Sequence, residues 1–228
     1  MQSGADKASI LAFPVRRAAS SLELGDLRFR TLLGEAAWLE LPEAVRARFG
    51  RRIADCRAIV FAGEIVECRI SAAGWLLAQS ARLIGAPLPL SRDADLPALV
   101  SVTEDAAGGG QFWTRLYGRR RGFPQVINSC KRFAGPTGLE EHVGRGFGIA
   151  LCARVADGAL QFVSDHYFFI IGRWRLRIPR WAAPGTLCVS HVDCNHGLFA
   201  FVLSLRHRWL GELIRQTVMF RERPDRKR

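Results

Sequence analysis

Phe147-Gly148-Ile149-Ala150-Leu151-Cys152-Ala153-Arg154-Val155, followed by Ala156-Asp157-Gly158-Ala159 and then Leu160-Gln161-Phe162-Val163-Ser164-Asp165-His166, is the stretch that decides the fold. Phe147, Ile149, Leu151, Ala153 and Val155 fall on one face of an extended chain, and Gly148, Ala150, Cys152 and Arg154 on the other. After Asp157-Gly158 the alternation returns through Leu160, Phe162, Ser164 and His166. Period-two patterning on both sides of an Asp-Gly pair is the strongest short-range signal of a β-hairpin.

The same pattern extends outward from this hairpin. Upstream it gives strands at Leu99 to Thr103, Phe112 to Tyr117 and Val126 to Phe133, with Gly108-Gly109-Gly110 as a turn. Downstream it gives Trp174 to Ile178, an irregular corner between Pro179 and Pro184, Leu187 to Val192, a turn at Asp193 to Gly197, Leu198 to Leu205 and Leu213 to Phe220. A meander of about nine strands or more has to curl or close to hide its edges. The expected fold class is therefore α+β: a strongly curved antiparallel sheet, half-barrel or barrel, with helices packed on it.

The N-terminal third supplies those helices. One is expected from Phe29 to Leu39, and a second begins at Pro42 and stops at Gly50. A strand from Ile59 to Ile70, with a bulge at Ala62-Gly63, leads to a helix capped by Ser71, running to Ile84 and ended by Gly85 and Pro87. The expected division is a flexible basic arm at 1–26, one α+β domain at 27–221 and a basic tail at 222–228.

The chain of 228 residues is 49% hydrophobic, enough for one well-buried core. Its six cysteines stand singly, with no CxxC pair. Together with the lack of a secretory leader, this reads as reduced thiols in a cytoplasmic protein. No run reaches the roughly 18 apolar residues of a membrane-spanning helix. Net charge is +12, and of the 33 basic residues only Lys7, Lys131 and Lys227 are lysines, leaving 30 arginines. A field of this sign favours anionic partners.

The segment Lys131-Arg132-Phe133-Ala134-Gly135-Pro136-Thr137-Gly138-Leu139-Glu140-Glu141 carries a resemblance, supported by Trp113-Thr114-Arg115-Leu116-Tyr117, Ile178-Pro179-Arg180-Trp181 and the C-terminal run containing Phe199, Phe201, His207, Gly211-Glu212-Leu213 and Gln216. The chain resembles a bacterial domain-of-unknown-function family, number four-one-six-six, from about Phe29 to Phe220. The resemblance implies no activity. It does imply an occurrence either alone or behind Rossmann-type, saccharopine-dehydrogenase-like domains, and hence a Rossmann-type reductase as a candidate partner.

The chemistry-bearing residues divide into clusters. Cys188, His191, Cys194 and His196 are metal-ligand types, but on an extended strand Cys188 and His191 face opposite ways, and the spacing matches no zinc knuckle. No metal and no cofactor is expected. Gly144-Arg145-Gly146-Phe147-Gly148 imitates a dinucleotide loop but opens a strand rather than a helix. Glu140 and Glu141 are the weak catalytic candidates, with His166 or His191, because a glutamate turned into an apolar concavity has its pKa raised. The ordinary reading is that one pairs with Lys131 or Arg132 across a hairpin while the other is solvated. Arg173, Arg175 and Arg177 alternate with Trp174, Leu176 and Ile178, giving either a phosphate-binding row or a solvated outer face.

The leading functional reading is a non-catalytic binding module for an apolar or amphipathic small molecule. The apolar runs Tyr167 to Ile171 and Phe199 to Leu203 require burial on both faces of the sheet, which a cavity lined from several strands provides. Candidate ligand-binding residues are Trp113, Arg115, Arg132, His166, Phe168, Trp174, Phe199, Phe201, His207 and Gln216. The alternatives are an accessory or catalytic domain using Glu140 or Glu141 with a histidine, and a docking domain for a partner reductase or an anionic membrane surface. Nucleic acid is the least favoured partner.

Overall fold

A computed structural model describes residues 25–53 and 58–221; residues 1–24, which make up most of the arm expected at 1–26, residues 54–57 and the tail expected at 222–228 lie outside the described residues. Eleven strands form one antiparallel sheet: β1 (Ala58–Ile70), β2 (Leu96–Asp105), β3 (Gly110–Tyr117), β4 (Gln125–Arg132), β5 (Glu140–Gly144), β6 (Phe147–Ala156), β7 (Ala159–Ile171), β8 (Trp174–Arg177), β9 (Thr186–Asp193), β10 (Leu198–His207) and β11 (Gly211–Arg221). Their order is β6-β5-β4-β3-β2-β1-β11-β10-β9-β7-β8, and β6 also pairs with β7. That last pairing closes ten of the strands into a barrel, leaving β8 as a hairpin strand on the end of β7. The sheet is thus a complete barrel and not a half-barrel, which removes the free edges a meander of this size would expose.

The Asp157-Gly158 hairpin is the closure. Phe147 through Ala156 pairs with Phe169 through Ala159, and the lower half of β7, Leu160 to Val163, continues the wall by pairing with His191 to Cys188 of β9. The upper end, Phe168 to Ile171, pairs instead with β8. Between these two ladders the wall parts, held by the amide of Ile178 on the carbonyl of Tyr167 and by the amide of Leu187 on Ser164 Oγ.

Strict antiparallel order sorts the connections into two ends. Segments 71–95, 118–124, 145–146, 178–185 and 208–210 lie at one end, here called upper; 106–109, 133–139, 157–158 and 194–197 lie at the other. Helices α1 (Arg28–Leu33), α2 (Glu35–Glu40) and α3 (Glu43–Phe49) close the lower end. Phe29 packs on Phe49, Phe133 and Phe162 with ring centroids 5.1, 4.9 and 5.8 Å apart, and His191 lies 5.0 Å from Phe49 and 4.9 Å from Phe199. The upper end is covered by α4 (Ala72–Ser80) and the short 3₁₀ turn Ala81–Ile84.

Four local expectations need correction. The helix expected from Phe29 to Leu39 is two helices, because Gly34 adopts φ 77° and turns the chain between them. The helix from Ser71 is α-helical only to Ser80; its cap is as expected, with Ser71 Oγ accepting from the Gly74 amide at 3.1 Å. The irregularity in β1 falls between Ile65 and Glu67 and not at Ala62-Gly63. Strand β5, absent from the sequence reading, is a five-residue strand containing Glu140 and Glu141. Gly74 has a steric role: a Cβ there would sit 2.1 Å from the carbonyl oxygen of Leu213, so α4 rests directly on the β11 backbone.

Candidate functional site

The upper half of the barrel is hollow. A cavity of about 400 Å³ lies between the strand walls and the α4 cover. Its walls are the inward positions of the period-two pattern, so Val100, Ile127, Val143, Ile149, Leu203 and Val218 each come from a different strand. The mouth is framed by Leu83, Ile84 and Pro87 to Pro89 on one side and by Ile178, Ala182 and Pro184 on the other. Phe201 and Leu203 face this space and are only half-buried, although they lie mid-strand in a closed barrel.

One sector of this apolar wall is charged. The inward positions of β3, β4 and β5 bring together Arg115, Ser129, Lys131 and Glu141. Lys131 and Glu141 are directly opposite across the β4–β5 ladder, and Lys131 Nζ donates to Glu141 Oε2 at 2.9 Å. Ser129 Oγ donates to Glu141 Oε1 at 2.6 Å, and Arg115 gives Nη2 to the same oxygen at 3.2 Å and Nη1 to Ser129 Oγ at 2.9 Å. The Lys131 ammonium also lies over Trp113, 5.1 Å from the ring centroid, and 5.6 Å from that of Phe162.

The electrostatics of the cluster follow from these contacts. Burial alone would raise the Glu141 pKa, but the charges of Lys131 and Arg115 and the hydrogen bonds from Ser129 and Lys131 outweigh it and hold the carboxyl down at about 2. Burial pushes the Lys131 ammonium below its ordinary value, against the pull of Glu141. Two cations thus face one carboxylate at the edge of an apolar cavity. A carboxylate so far below neutral pH is a poor proton acceptor, so Glu141 serves as a fixed negative charge that positions Arg115 and Lys131.

The candidates from sequence do not share one site. Trp113, Arg115, Phe201 and Gln216 line the cavity with Glu141. His166 and His207 lie in a separate cleft of about 310 Å³, where the barrel wall parts between β7 and β9, and Tyr167 and Ile178 line both spaces. His166 Nδ1 is 2.6 Å from Asp165. Glu140 and Phe168 lie on the outside of the barrel under β8: Arg175 Nη1 approaches Glu140 Oε1 at 2.6 Å, and the Arg175 guanidinium sits 3.6 Å from the centroid of Phe168. Phe199 and His191 belong to the lower aromatic plug, Arg132 binds Asp105 at the lower rim, and Trp174 is exposed at the β7–β8 turn.

Several expectations are overturned by these positions. Neither glutamate is solvated, since Glu140 and Glu141 are 2% and 6% exposed, and Glu141 has its pKa lowered and not raised. Adjacent positions on one strand put the two acids on opposite faces of the wall, so they cannot act together. His191 is far from a reactive pair with either: Arg48 Nη1 lies 3.0 Å from its Nε2, and burial followed by the Arg48 charge lowers its pKa to about 3. The face of β8 opposite the arginines is not buried, because Trp174 and Leu176 are exposed, and Arg175 lies over Phe168 and Glu140 while remaining partly in solvent. Among the described residues, no group of three or more His, Cys, Asp or Glu is arranged to hold a metal ion.

Lys131, Ser129 and Tyr117 were missed as cavity residues. The available signal was alternation: once Trp113 is placed inward, Arg115 and Tyr117 follow, and Ile127, Ser129 and Lys131 face them across β4. No curated protein and no solved structure matches the chain. A family does match, over residues 41–220, a span that takes in the whole barrel from β1 to nearly the end of β11. Its description names no activity. The chain belongs to the family described as Domain of unknown function (DUF4166).

Proposed function

We propose that this barrel is a binding protein for an elongated amphipathic small molecule, held with its apolar body along the strand walls and an anionic or acceptor-rich head against Arg115 and Lys131. The observation that carries the reading is the hollow upper half: about 400 Å³ lies within the roughly 300–1,000 Å³ range of ligand sites. Its wall is apolar except for one charged sector, which is how such sites combine affinity with orientation. Guanidinium and ammonium groups facing a single carboxylate retain donors for a further acceptor, since Arg carries five N–H donors and Lys three. A carboxylate head fits those donors and neutralises the excess positive charge.

Native mass spectrometry of the gently purified protein, together with titration by a fluorescent polyene fatty acid, tests this reading. One ligand per chain is expected. Leu203→Trp, which adds bulk to the cavity without new charge, should abolish probe binding while the protein melts cooperatively. Unchanged probe affinity in that variant would overturn the reading.

A further inference from the structure

Charge is distributed unevenly between the two ends of the barrel. The upper segments 117–125, 144–147, 171–185 and 206–211 contain ten arginines and no Asp or Glu, and all ten arginines are exposed. The lower segments 105–110, 133–139, 156–158 and 193–198 contain three aspartates and no Arg or Lys, and the helical segment 25–53 that closes this end adds six arginines against one aspartate and three glutamates, which leaves the lower end near neutral. The remaining upper connection, 71–95, adds two arginines and two aspartates, and is neutral.

Exposed aromatic and aliphatic side chains concentrate at the same end. Of six tryptophans, Trp75, Trp174, Trp181 and Trp209 all lie in the upper segments, at 45%, 64%, 75% and 65% exposure, whereas Trp38 and Trp113 elsewhere are each 7% exposed. Phe123 and Leu83 are 92% and 72% exposed, and Leu83 also frames the cavity mouth. Arginine and tryptophan are paired at the loop tips, with Arg173 5.6 Å from the ring centroid of Trp174 and Arg208 4.2 Å from that of Trp209. Large apolar groups are seldom left in water at this density unless something covers them.

We propose that the upper end of the barrel docks on an anionic lipid bilayer, with its tryptophans at the headgroup level and its arginines on lipid phosphates. Tryptophan with basic residues is the pairing that membrane interfaces select, and a surface of negative lipids attracts clustered arginines. A second copy of the chain is disfavoured as occupant, because two such faces would bring like charges together. Nucleic acid would use the arginines and some rings but gives no role to Leu83, Leu176 and Leu210, which an acyl layer accepts. The inference goes beyond ligand binding and does not require an occupied cavity, although the mouth framed by Leu83 would then open toward the membrane.

Flotation of the full chain tests docking, using vesicles of phosphatidylcholine alone and of about three parts phosphatidylcholine to one part phosphatidylglycerol. Binding is expected only to the anionic vesicles, weakening as salt is added. Tryptophan emission should be quenched when brominated lipids are included. Arg173→Glu with Arg180→Glu should weaken binding at least tenfold, while Arg154→Glu with Arg221→Glu, the same charge change toward the lower end, should alter it less than twofold. Trp174→Ser with Trp181→Ser, at exposed positions that cannot unfold the core, should weaken binding comparably. Running the assay on Leu203→Trp separates the two proposals, because docking should survive when the cavity is filled. Equal loss from the upper and lower charge reversals, absence of bromolipid quenching, or retention by a single-stranded oligonucleotide or an acidic protein but not by vesicles would overturn the proposal.

Discussion

Lys131 Nζ and Glu141 Oε2 meet at 2.9 Å inside the barrel wall, both side chains less than a tenth exposed, as direct cross-strand partners on β4 and β5. A buried pair of this kind is weak evidence for stability in itself, but breaking it is costly because one charge is left uncompensated. Glu141→Gln would strand two cations, Lys131 and Arg115, and should lower unfolding free energy by about 3–5 kcal/mol. Lys131→Met leaves Glu141 with Arg115 and Ser129, and should cost less. Urea unfolding of both variants and of the double variant measures the difference. A bound carboxylate should also raise the melting temperature of Glu141→Gln more than that of the parent chain, since the ligand then supplies the missing negative charge.

Acid should destabilise the protein in two steps of one sign. His191 has its pKa lowered by the fold to about 3, so below its ordinary 6.5 the unfolded chain binds a proton that the folded chain refuses. Its contribution is complete above 6.5 and is lost as pH falls from there toward 3. Glu141, held at about 2 against an ordinary 4.5, contributes stability above 4.5 that is lost between 4.5 and 2. Stability measured from pH 8 to pH 4 should therefore begin to fall near 6.5, and His191→Phe should flatten the upper part of that slope. An unchanged slope in the variant would assign the acid sensitivity to other groups.

Gly74→Ala tests the cover of the cavity. The added methyl would sit 2.1 Å from a backbone oxygen of β11, which cannot rotate aside, so α4 must lift. A loss of about 1–3 kcal/mol is expected from overpacking of this kind. Exchange of a bound probe, followed by stopped-flow displacement, should become faster, because the displaced helix covers the cavity and leads directly into the Leu83 to Pro89 segment that frames the mouth. Wild-type exchange kinetics in a destabilised variant would show that ligand enters by another route, with the cleft beside Tyr167 the next to examine.

The barrel was legible because its strands announce themselves one at a time: Asp157-Gly158 between two alternating runs is a local signal, and so is the Ser71 cap of α4. Closure was not local. Nothing within Leu160 to Ile171 tells a reader that its lower half pairs with β9 and its upper end with β8, since that split depends on where a strand 25 residues later arrives. Strand β5 escaped for a related reason: Glu-Glu-His-Val-Gly has poor β-propensity, and it is a strand by pairing between β4 and β6, with its two acids compensated by Lys131, Arg115 and Arg175. The pairing of one glutamate with Lys131 across a hairpin was legible, and it is Glu141 that makes it; the other was expected in solvent, and only the arrival of β8 puts Glu140 under Arg175 on the opposite face of the wall.

Arg115 is the residue on which head-group recognition should turn, because its guanidinium lines the cavity while touching Glu141 and Ser129 behind it. Arg115→Met keeps the length and apolar stem and removes the charge and donors. Hydrogen bonds to a charged group contribute roughly 1.5–3 kcal/mol, so a medium-chain fatty acid should bind about tenfold to a hundredfold more weakly to the variant. The corresponding fatty alcohol, which makes its main contacts with the apolar wall, should change by less than about threefold, so the ratio of the two affinities is the informative quantity. Calorimetric titration of both compounds into both proteins supplies it. Equal weakening of acid and alcohol would mean that Arg115 shapes the cavity without reading the head group, and the orientation proposed for the ligand would have to be reversed, with the head at the arginine-rich mouth.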